Sequence, residues 1–173
     1  MKTLVVCYSN SGTTLSVAEC IAQDLKAELD AIEEVKPRPP LIFQGRKSKA
    51  SAGAFMKAAL AAVFGRGSRI ADTRIDPSGY DLVVVGTPVW GGSLTPAVRS
   101  YLRRHRKTLP RVAFFCSAGD PSKMRVFGQM RRIAGKDPVA TVAVRSEDAR
   151  TDACPRAISD FVARVKAAGD ADK

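Results

Sequence analysis

The feature that most constrains the fold is an apolar strand pattern that runs directly into a polar loop and then into a helical pattern. Residues 3–8 are mostly apolar and β-branched, as in a strand buried on both faces. The six residues that follow are Ser9, Asn10, Ser11, Gly12, Thr13 and Thr14. Val17, Ile21 and Leu25 then repeat at helical spacing, so a helix begins immediately after the loop.

The alternation of strand and helix patterns continues along the whole chain. Strand patterns cover residues 3–8, 30–35, 80–86, 111–116 and 139–144, and helical patterns cover residues 14–27, 52–64, a stretch from about Pro96, 122–134 and 155–168. Five strands that alternate with five helices predict an α/β fold with a doubly wound parallel sheet. We expect one domain over residues 1–168, with an extended loop and the second crossover helix in residues 37–74, and a frayed tail at residues 169–173.

The first loop has the layout of an anion site. Backbone N–H groups in the first turn of a helix attract anions, and the positive end of the helix dipole lies there as well. Gly12 permits close approach to a phosphate, and the hydroxyls of the loop add donors. The loop contains no Lys or Arg, so neutral donors and dipoles would meet the charge. Ser, Thr and Asn are also common helix N-caps, and the residues alone leave both interpretations open.

Two further predicted strands end in loops of small and hydroxyl-bearing residues. The third strand leads into a rigid turn of Thr87, Pro88, Val89, Trp90, Gly91, Gly92 and Ser93, and the fourth ends in Ser117, Ala118, Gly119 and Asp120. Ligands of doubly wound folds bind beyond the carboxyl ends of the strands, so we expect the three loops to converge on one site. The alternative for Trp90 is a packed surface aromatic, and for Asp120 it is a cap on a helix that opens near Pro121.

The sequence lacks the motifs of several other phosphate-handling proteins. There is no GxxxxGK[ST] motif, no GxGxxG after the first strand and no GxSxG elbow. Cys7 precedes the loop, but a Cys-dependent phosphatase needs an Arg where this chain has Thr13. The third strand ends at Gly86 and Thr87, without the phosphorylatable Asp of a receiver domain. Four cysteines without CxxC spacing and a single histidine argue against a metal site, a disulfide framework or a His-based triad.

Bulk properties predict a globular chain with a basic surface. No apolar run is long enough to span a bilayer and no secretory signal pattern is present, so we expect a cytoplasmic protein. The formal net charge is +11, with basic residues clustered in residues 36–74, 99–111 and 123–136. Such a surface favours anionic partners, although ordinary solvated faces account for most of these charges.

In order and spacing, the three loops resemble those of the flavodoxin family. Residues 9–14 resemble the family's phosphate loop, of pattern [TS]-x-[TS]-G-x-T, and residues 86–92 and 116–120 resemble its second and third flavin loops. The resemblance covers nearly the whole chain. It implies a three-layer α/β/α flavodoxin-like fold with five parallel strands in the order 2-1-3-4-5, and it implies FMN as a non-covalent cofactor.

The resemblance also implies a role for each loop. The 5′-phosphate of FMN would be held by Ser9, Asn10, Ser11, Gly12, Thr13 and Thr14. The flavin ring would be lined by Thr87, Pro88, Val89, Trp90, Gly91 and Gly92, with the aromatic stacked on it. The pyrimidine edge of the ring would be bordered by Ser117, Ala118, Gly119 and Asp120. No residue is assigned a catalytic role.

The function that the resemblance implies is electron transfer by an FMN-binding protein that docks a redox partner protein. No aromatic residue follows the third loop before Phe127, which would leave one face of the ring open. An open face favours an alternative, an FMN-dependent oxidoreductase that takes hydride from NAD(P)H and reduces a quinone or similar acceptor. A basic module that binds nucleic acid or an anionic membrane ranks last, because it explains the charge but not the three loops.

Overall fold

The computed structural model describes residues 1–38, 53, 60, 63–120, 125–151 and 153–170. Its strands are β1 (Thr3–Cys7), β2 (Glu28–Ala31), β3 (Leu82–Trp90), β4 (Ser93–Leu94), β5 (Arg111–Ala118) and β6 (Pro138–Arg145). Its helices with defined bounds are α1 (Thr13–Leu25), α2 (Pro96–His105), α3 (Val126–Ala134) and α4 (Cys154–Asp170). Most of the loop and helix predicted for residues 37–64, the predicted start of the α3 helix at residues 122–124 and residues 171–173 of the predicted tail lie outside the described residues. The tail was predicted to begin at residue 169, but α4 continues to Asp170. Within the predicted helix of residues 52–64, residues 53, 60 and 63 are helical.

The five long strands form a parallel sheet in the order β2-β1-β3-β5-β6. This order confirms the predicted arrangement 2-1-3-4-5 of the five predicted strands. The register places Val84 of β3 between Val5 of β1 and Ala113 of β5. The short strand β4 was not predicted, and it pairs with the end of β3 in antiparallel orientation.

The third strand continues past its predicted end at Gly86. Residues 87–90 belong to β3, so the predicted rigid turn of residues 87–93 is wrong in extent. The actual turn consists of Gly91 and Gly92, whose φ angles of 56° and 72° suit a two-residue hairpin loop. The pairing of β1 with β3 ends at Gly86, so Pro88 is not paired with β1, and a proline is tolerated there.

The second strand lies earlier than predicted. We expected it at residues 30–35, but β2 ends at Ala31. Beyond that point the chain pairs with residues 69–71 instead: Val35 N donates to Arg69 O at 3.0 Å and Ala71 N donates to Glu33 O at 2.8 Å. The apolar and acidic alternation therefore indicated extended chain correctly, but it did not identify the pairing partner.

The sheet carries a buried layer of side chains on each face. On one face, Val85 and Phe114 belong to a cluster with Tyr101 of α2 and Met130 of α3. On the other face the cluster includes Val5, Val84, Phe115, Ile21 of α1 and Ile158 of α4. Since successive residues of a strand point to opposite faces, runs such as 82–85 must be apolar throughout. The result is the three-layer α/β/α arrangement.

Candidate functional site

Three strand ends meet at the carboxyl edge of the sheet. Thr14, at the start of α1, has its Oγ1 2.7 Å from Oγ of Ser117 at the end of β5. Tyr8, directly after β1, donates its backbone N–H to Gly86 O of β3 at 3.3 Å. The Tyr8 ring meets Trp90 edge-on, with centroids 5.9 Å apart. The start of α1 thus contacts the end of β5, and the residue after β1 contacts the end of β3.

The loop after β1 ends in a helix start that no side chain caps. Gly12 is the N-cap of α1 with a φ of 85°, and no side-chain hydrogen bond caps the helix among the described residues. The first intrahelical bond is from Ser16 N to Gly12 O, at 3.0 Å. The backbone N–H groups of the first turn have no partner within the helix. The hydroxyls of the loop therefore do not cap α1, whereas the alternative interpretation of the sequence treated these residues as helix N-caps.

Ser9 contributes a further group suited to a ligand. Its Oγ is inaccessible to solvent, and it has no hydrogen-bond partner among the described residues. A buried hydroxyl without a partner destabilises a fold by about 1–3 kcal/mol, so such a group in a loop indicates a missing partner. Together with the uncapped amides of α1, the Ser9 hydroxyl fits an anion with several acceptor oxygens.

A cation reaches this loop from a distant part of the sequence. Arg150 lies in a 3-10 turn, Asp148–Arg150, that follows β6, and its Nη2 donates to Ser11 O. A Cβ placed on Gly12 would lie 3.0 Å from the same nitrogen. The sequence indicated a loop served only by neutral donors. The loop itself has no cation, but the fold supplies one across 139 residues.

Several of the predicted site residues are buried with their polar groups engaged inside the protein. Thr14 and Ser117 bond to each other. Thr87 is fully buried, and its hydroxyl lies 3.0 Å from Thr95 Oγ1 and donates to Pro88 O at 2.9 Å. Ala118 is buried as well. These four residues position the loops and offer little surface to a ligand.

Trp90 is also mostly inside the protein, with 5% of its surface exposed. It packs against Tyr8, and the Arg38 guanidinium lies 5.6 Å from its ring centroid. This placement favours the sequence alternative of a packed aromatic, although at the end of a strand and not in a loop. The predicted residues with accessible surface are Ser9, Asn10, Ser11, Gly12, Thr13, Pro88, Val89, Gly91, Gly92, Gly119 and Asp120.

A buried polar network that the sequence did not reveal lies beside Trp90. The Glu34 carboxylate accepts a hydrogen bond from Tyr8 Oη at 3.0 Å and from Arg38 Nε at 2.9 Å. Asn10 Nδ2 donates to Arg38 O at 3.3 Å, which links this network to the first loop. Burial, followed by the charge of Glu34, raises the pKa of the Tyr8 phenol well above its usual value. Tyr8 therefore stays protonated and serves as a donor.

The cysteines near the site are inert. Burial is the main cause that raises the pKa of the Cys7 thiol to about 12, and the carboxylates of Glu19 and Asp30 add to it. Burial alone raises the pKa of Cys116 to about 12. A thiol with such a pKa is not a nucleophile near neutral pH, in agreement with the exclusion of a Cys-dependent phosphatase. In the part of the chain that the structure describes, no cluster of three His, Cys, Asp or Glu residues could hold a metal ion.

A model of a known protein family matches this sequence and assigns the chain to a family. The model described as Flavodoxin matches residues 2–134, more than three quarters of the chain. The chain belongs to the flavodoxin family. No curated protein matches the sequence of this flavodoxin-family chain. Within its described residues, no helix is long and apolar enough to cross a membrane.

Solved structures show the same flavodoxin fold. A Lactobacillus acidophilus flavoprotein in complex with FMN is 24% identical, with a TM-score of 0.65 over 85% of this chain and 94% of that one. A candidate flavoprotein from Bacteroides eggerthii is 22% identical, with a TM-score of 0.67 over 94% and 98% of the two chains. Oxidised flavodoxin 2 from Bacillus cereus is 15% identical, with a TM-score of 0.54 over 95% and 97%.

Proposed function

We propose that this flavodoxin-family protein binds FMN non-covalently and works in electron transfer. The observation that carries the proposal is the uncapped N-terminus of α1, in a loop that also holds the buried Ser9 hydroxyl, at the edge where three strand ends meet. A phosphate monoester offers the acceptor oxygens that these donors lack. The FMN complex of the similar Lactobacillus acidophilus flavoprotein supports the choice of this ligand.

The residues of the chain divide into ligands and supports. Ser9, Asn10, Ser11, Gly12 and Thr13 would bind the phosphate, with the Thr14–Ser117 hydrogen bond holding the loop in place. The ring would lie against the accessible edge formed by Pro88, Val89, Gly91, Gly92, Gly119 and Asp120. Trp90 would support that edge from inside through its contact with Tyr8. FMN, when bound, supplies the redox chemistry, so no acid or base of the chain is required.

A second candidate function is an FMN-dependent NAD(P)H oxidoreductase that reduces a quinone or similar acceptor. It is favoured by a basic cavity of about 740 Å³ on the surface of α3, open to solvent and lined by Arg125, Gly128, Gln129, Arg131 and Arg132. Arg125 N donates to Gly92 O at 3.1 Å, so this cavity adjoins the Gly91–Gly92 hairpin. Arg131 pairs with Asp137, and the guanidinium groups of Arg125 and Arg132 would attract the phosphates of a nicotinamide nucleotide. The same positive field would attract an acidic redox partner protein.

The identity of the bound flavin tests the proposal. The protein is purified, or the apo-protein is reconstituted with a mixture of FMN, FAD and riboflavin, and the retained flavin is released by heat and separated by chromatography. We expect FMN in about one equivalent. Retention of FAD in preference to FMN, or of no flavin, would contradict the proposal.

Turnover separates the two candidate functions. FMN-loaded protein is mixed with NADH or NADPH and a benzoquinone, and nucleotide consumption is followed. Steady consumption favours the oxidoreductase, and its loss in Arg132→Gln would place the nucleotide in the basic cavity. Absence of consumption, combined with rapid electron transfer from chemically reduced protein to an acceptor protein, favours the carrier.

A further inference from the structure

We propose that Arg150 is a ligand of the FMN phosphate and gives this site a cation that the phosphate loop itself lacks. The inference rests on the proposed FMN site and deepens it. The chemical group recognised is a phosphate monoester, which carries a charge of about −1.5 to −2 near pH 7.

The position of the guanidinium carries the inference. Arg150 Nη2 donates to Ser11 O, in the centre of the loop. The same nitrogen lies 3.0 Å and the guanidinium carbon 3.9 Å from the position that a Cβ on Gly12 would take. Gly12 is the N-cap of α1, so the cation lies at the positive end of the helix, beside the amides that have no partner within the helix. An anion held between a guanidinium and these amides would offset the unfavourable proximity of two positive groups.

The fold holds the backbone of Arg150 in place. Ser146 N donates to Ala118 O at 2.9 Å, which ties the end of β6 to the end of β5. Ala149 is 1% exposed and anchors the turn in the core cluster shared with α1 and α4. Thr151 closes the turn through its backbone N–H and its hydroxyl, which donate to Asp148 O at 3.1 Å and 3.0 Å. The side chain therefore extends from a fixed base toward the loop.

The chemistry of the side chain suits this role. A guanidinium has five N–H donors in a planar fork, and the contact with Ser11 O uses one of them. The neighbouring cations are engaged elsewhere, since Arg38 pairs with Glu34 and Arg145 pairs with Glu147. Among the described residues, Arg150 makes no ion pair with a carboxylate. Its guanidinium contacts the loop through Ser11 O.

The competing role for Arg150 is that of a strap that only fixes the loop through Ser11 O. The two roles differ in their dependence on the phosphate. A phosphate ligand affects the binding of FMN but not of riboflavin, which has the same ring and no phosphate. A strap affects both flavins alike, because it acts on the shape of the loop.

The test is a set of dissociation constants for FMN and riboflavin, measured with the wild-type chain, Arg150→Gln, Arg150→Lys and Arg156→Gln. Arg156 is an exposed residue of α4, and its replacement matches the change in net charge. We expect Arg150→Gln to weaken FMN binding about tenfold or more and to leave riboflavin binding unchanged, with a smaller loss in Arg150→Lys and none in Arg156→Gln.

Two results overturn the proposal. One is Arg150→Gln protein that binds FMN as tightly as wild type, and the other is an equal loss for both flavins. Wild-type protein that binds neither flavin overturns the proposed function itself, which is a different outcome. A measurement without any variant complements the set: phenylglyoxal modification mapped to Arg150 by mass spectrometry. FMN is expected to protect Arg150 and riboflavin is not, whereas equal protection by the two flavins, or no protection, contradicts the proposal.

Discussion

Thr14 and Ser117, which are 103 residues apart in the chain, share a buried hydrogen bond of 2.7 Å between their hydroxyls. The bond joins the start of the first helix to the end of β5 and so ties the proposed phosphate loop to the strand that precedes the third predicted loop. Both residues were predicted from the sequence as ligands of the cofactor. Their burial assigns them first to the support of the site.

This hydrogen bond is expected to contribute about 1 kcal/mol to the free energy of unfolding. Thr14→Val and Ser117→Ala are each predicted to lower that free energy by about this amount or somewhat more, because each leaves a buried hydroxyl without its partner. The double variant is predicted to lose less than the sum of the two. Urea unfolding of the apo-protein measures all four members of the cycle, and strictly additive losses would show that the pair is not coupled.

Gly12→Asp is predicted to abolish FMN binding. The position has a φ of 85°, which disfavours any side chain, and the new carboxylate would lie where the phosphate is proposed to bind. Gly79→Asp is the matched control, since no atom lies within 4 Å of a Cβ at that position. Titration with FMN and circular dichroism separate loss of binding from loss of fold. Retained affinity in Gly12→Asp would contradict the assignment of the loop.

Gly86→Ala is predicted to destabilise the fold by about 3 kcal/mol, at the upper end of overpacking effects. A Cβ at Gly86 would lie 2.0 Å from Phe115 Cζ, and both residues are in central strands that cannot easily separate. The double variant Gly86→Ala/Phe115→Leu lacks the ring that the new Cβ would meet, so it is expected to regain part of the lost stability. Thermal unfolding of the two single variants and the double variant checks this, and absence of any rescue would contradict the steric explanation.

Stability is predicted to fall as the pH decreases below about 6.5, in part because of His105. Burial, followed by the positive charge of Arg104, lowers the pKa of this histidine below its usual value, against a weaker opposite effect of Asp76. The unfolded chain, with an ordinary histidine pKa of about 6.5, then binds more protons than the folded chain. The contribution of His105 to the free energy of unfolding is therefore fully present above pH 6.5, and it is lost as the pH falls toward the pKa of His105 in the folded chain.

Urea unfolding at a series of pH values between 8 and 5 measures this dependence, and His105→Gln is the comparison. The variant is expected to show a shallower decline over the same range. An identical decline in both proteins would show that other groups cause the effect.

The sequence predicts the fold well because the signals of the fold are local. Runs such as residues 82–85 are apolar throughout, the loops begin where those runs end, and α1 and α4 have clear helical spacing. These signals also place three loops at one edge of the sheet. The length of β3 was misjudged because Pro88 and two glycines usually end a strand, while here the proline lies beyond Gly86, where the pairing with β1 ends.

The site was less predictable because its residues come together only in three dimensions. Nothing near Arg150 in the sequence indicates a contact with Ser11, and the Glu34–Arg38 pair lies in a segment that reads as a strand and a linker. In the sequence, a threonine or serine near the end of a strand looks the same whether its hydroxyl faces a ligand or a second hydroxyl. Burial decides between the two, and it assigns Thr14 and Thr87 to the interior.

The most direct test of the proposed FMN site is a titration of the apo-protein with FMN, followed by the quenching of flavin fluorescence. A stoichiometric complex with a dissociation constant at or below the micromolar range is predicted. Fluorescence that stays unquenched at micromolar protein and FMN would contradict the central claim that this flavodoxin-family chain is an FMN protein.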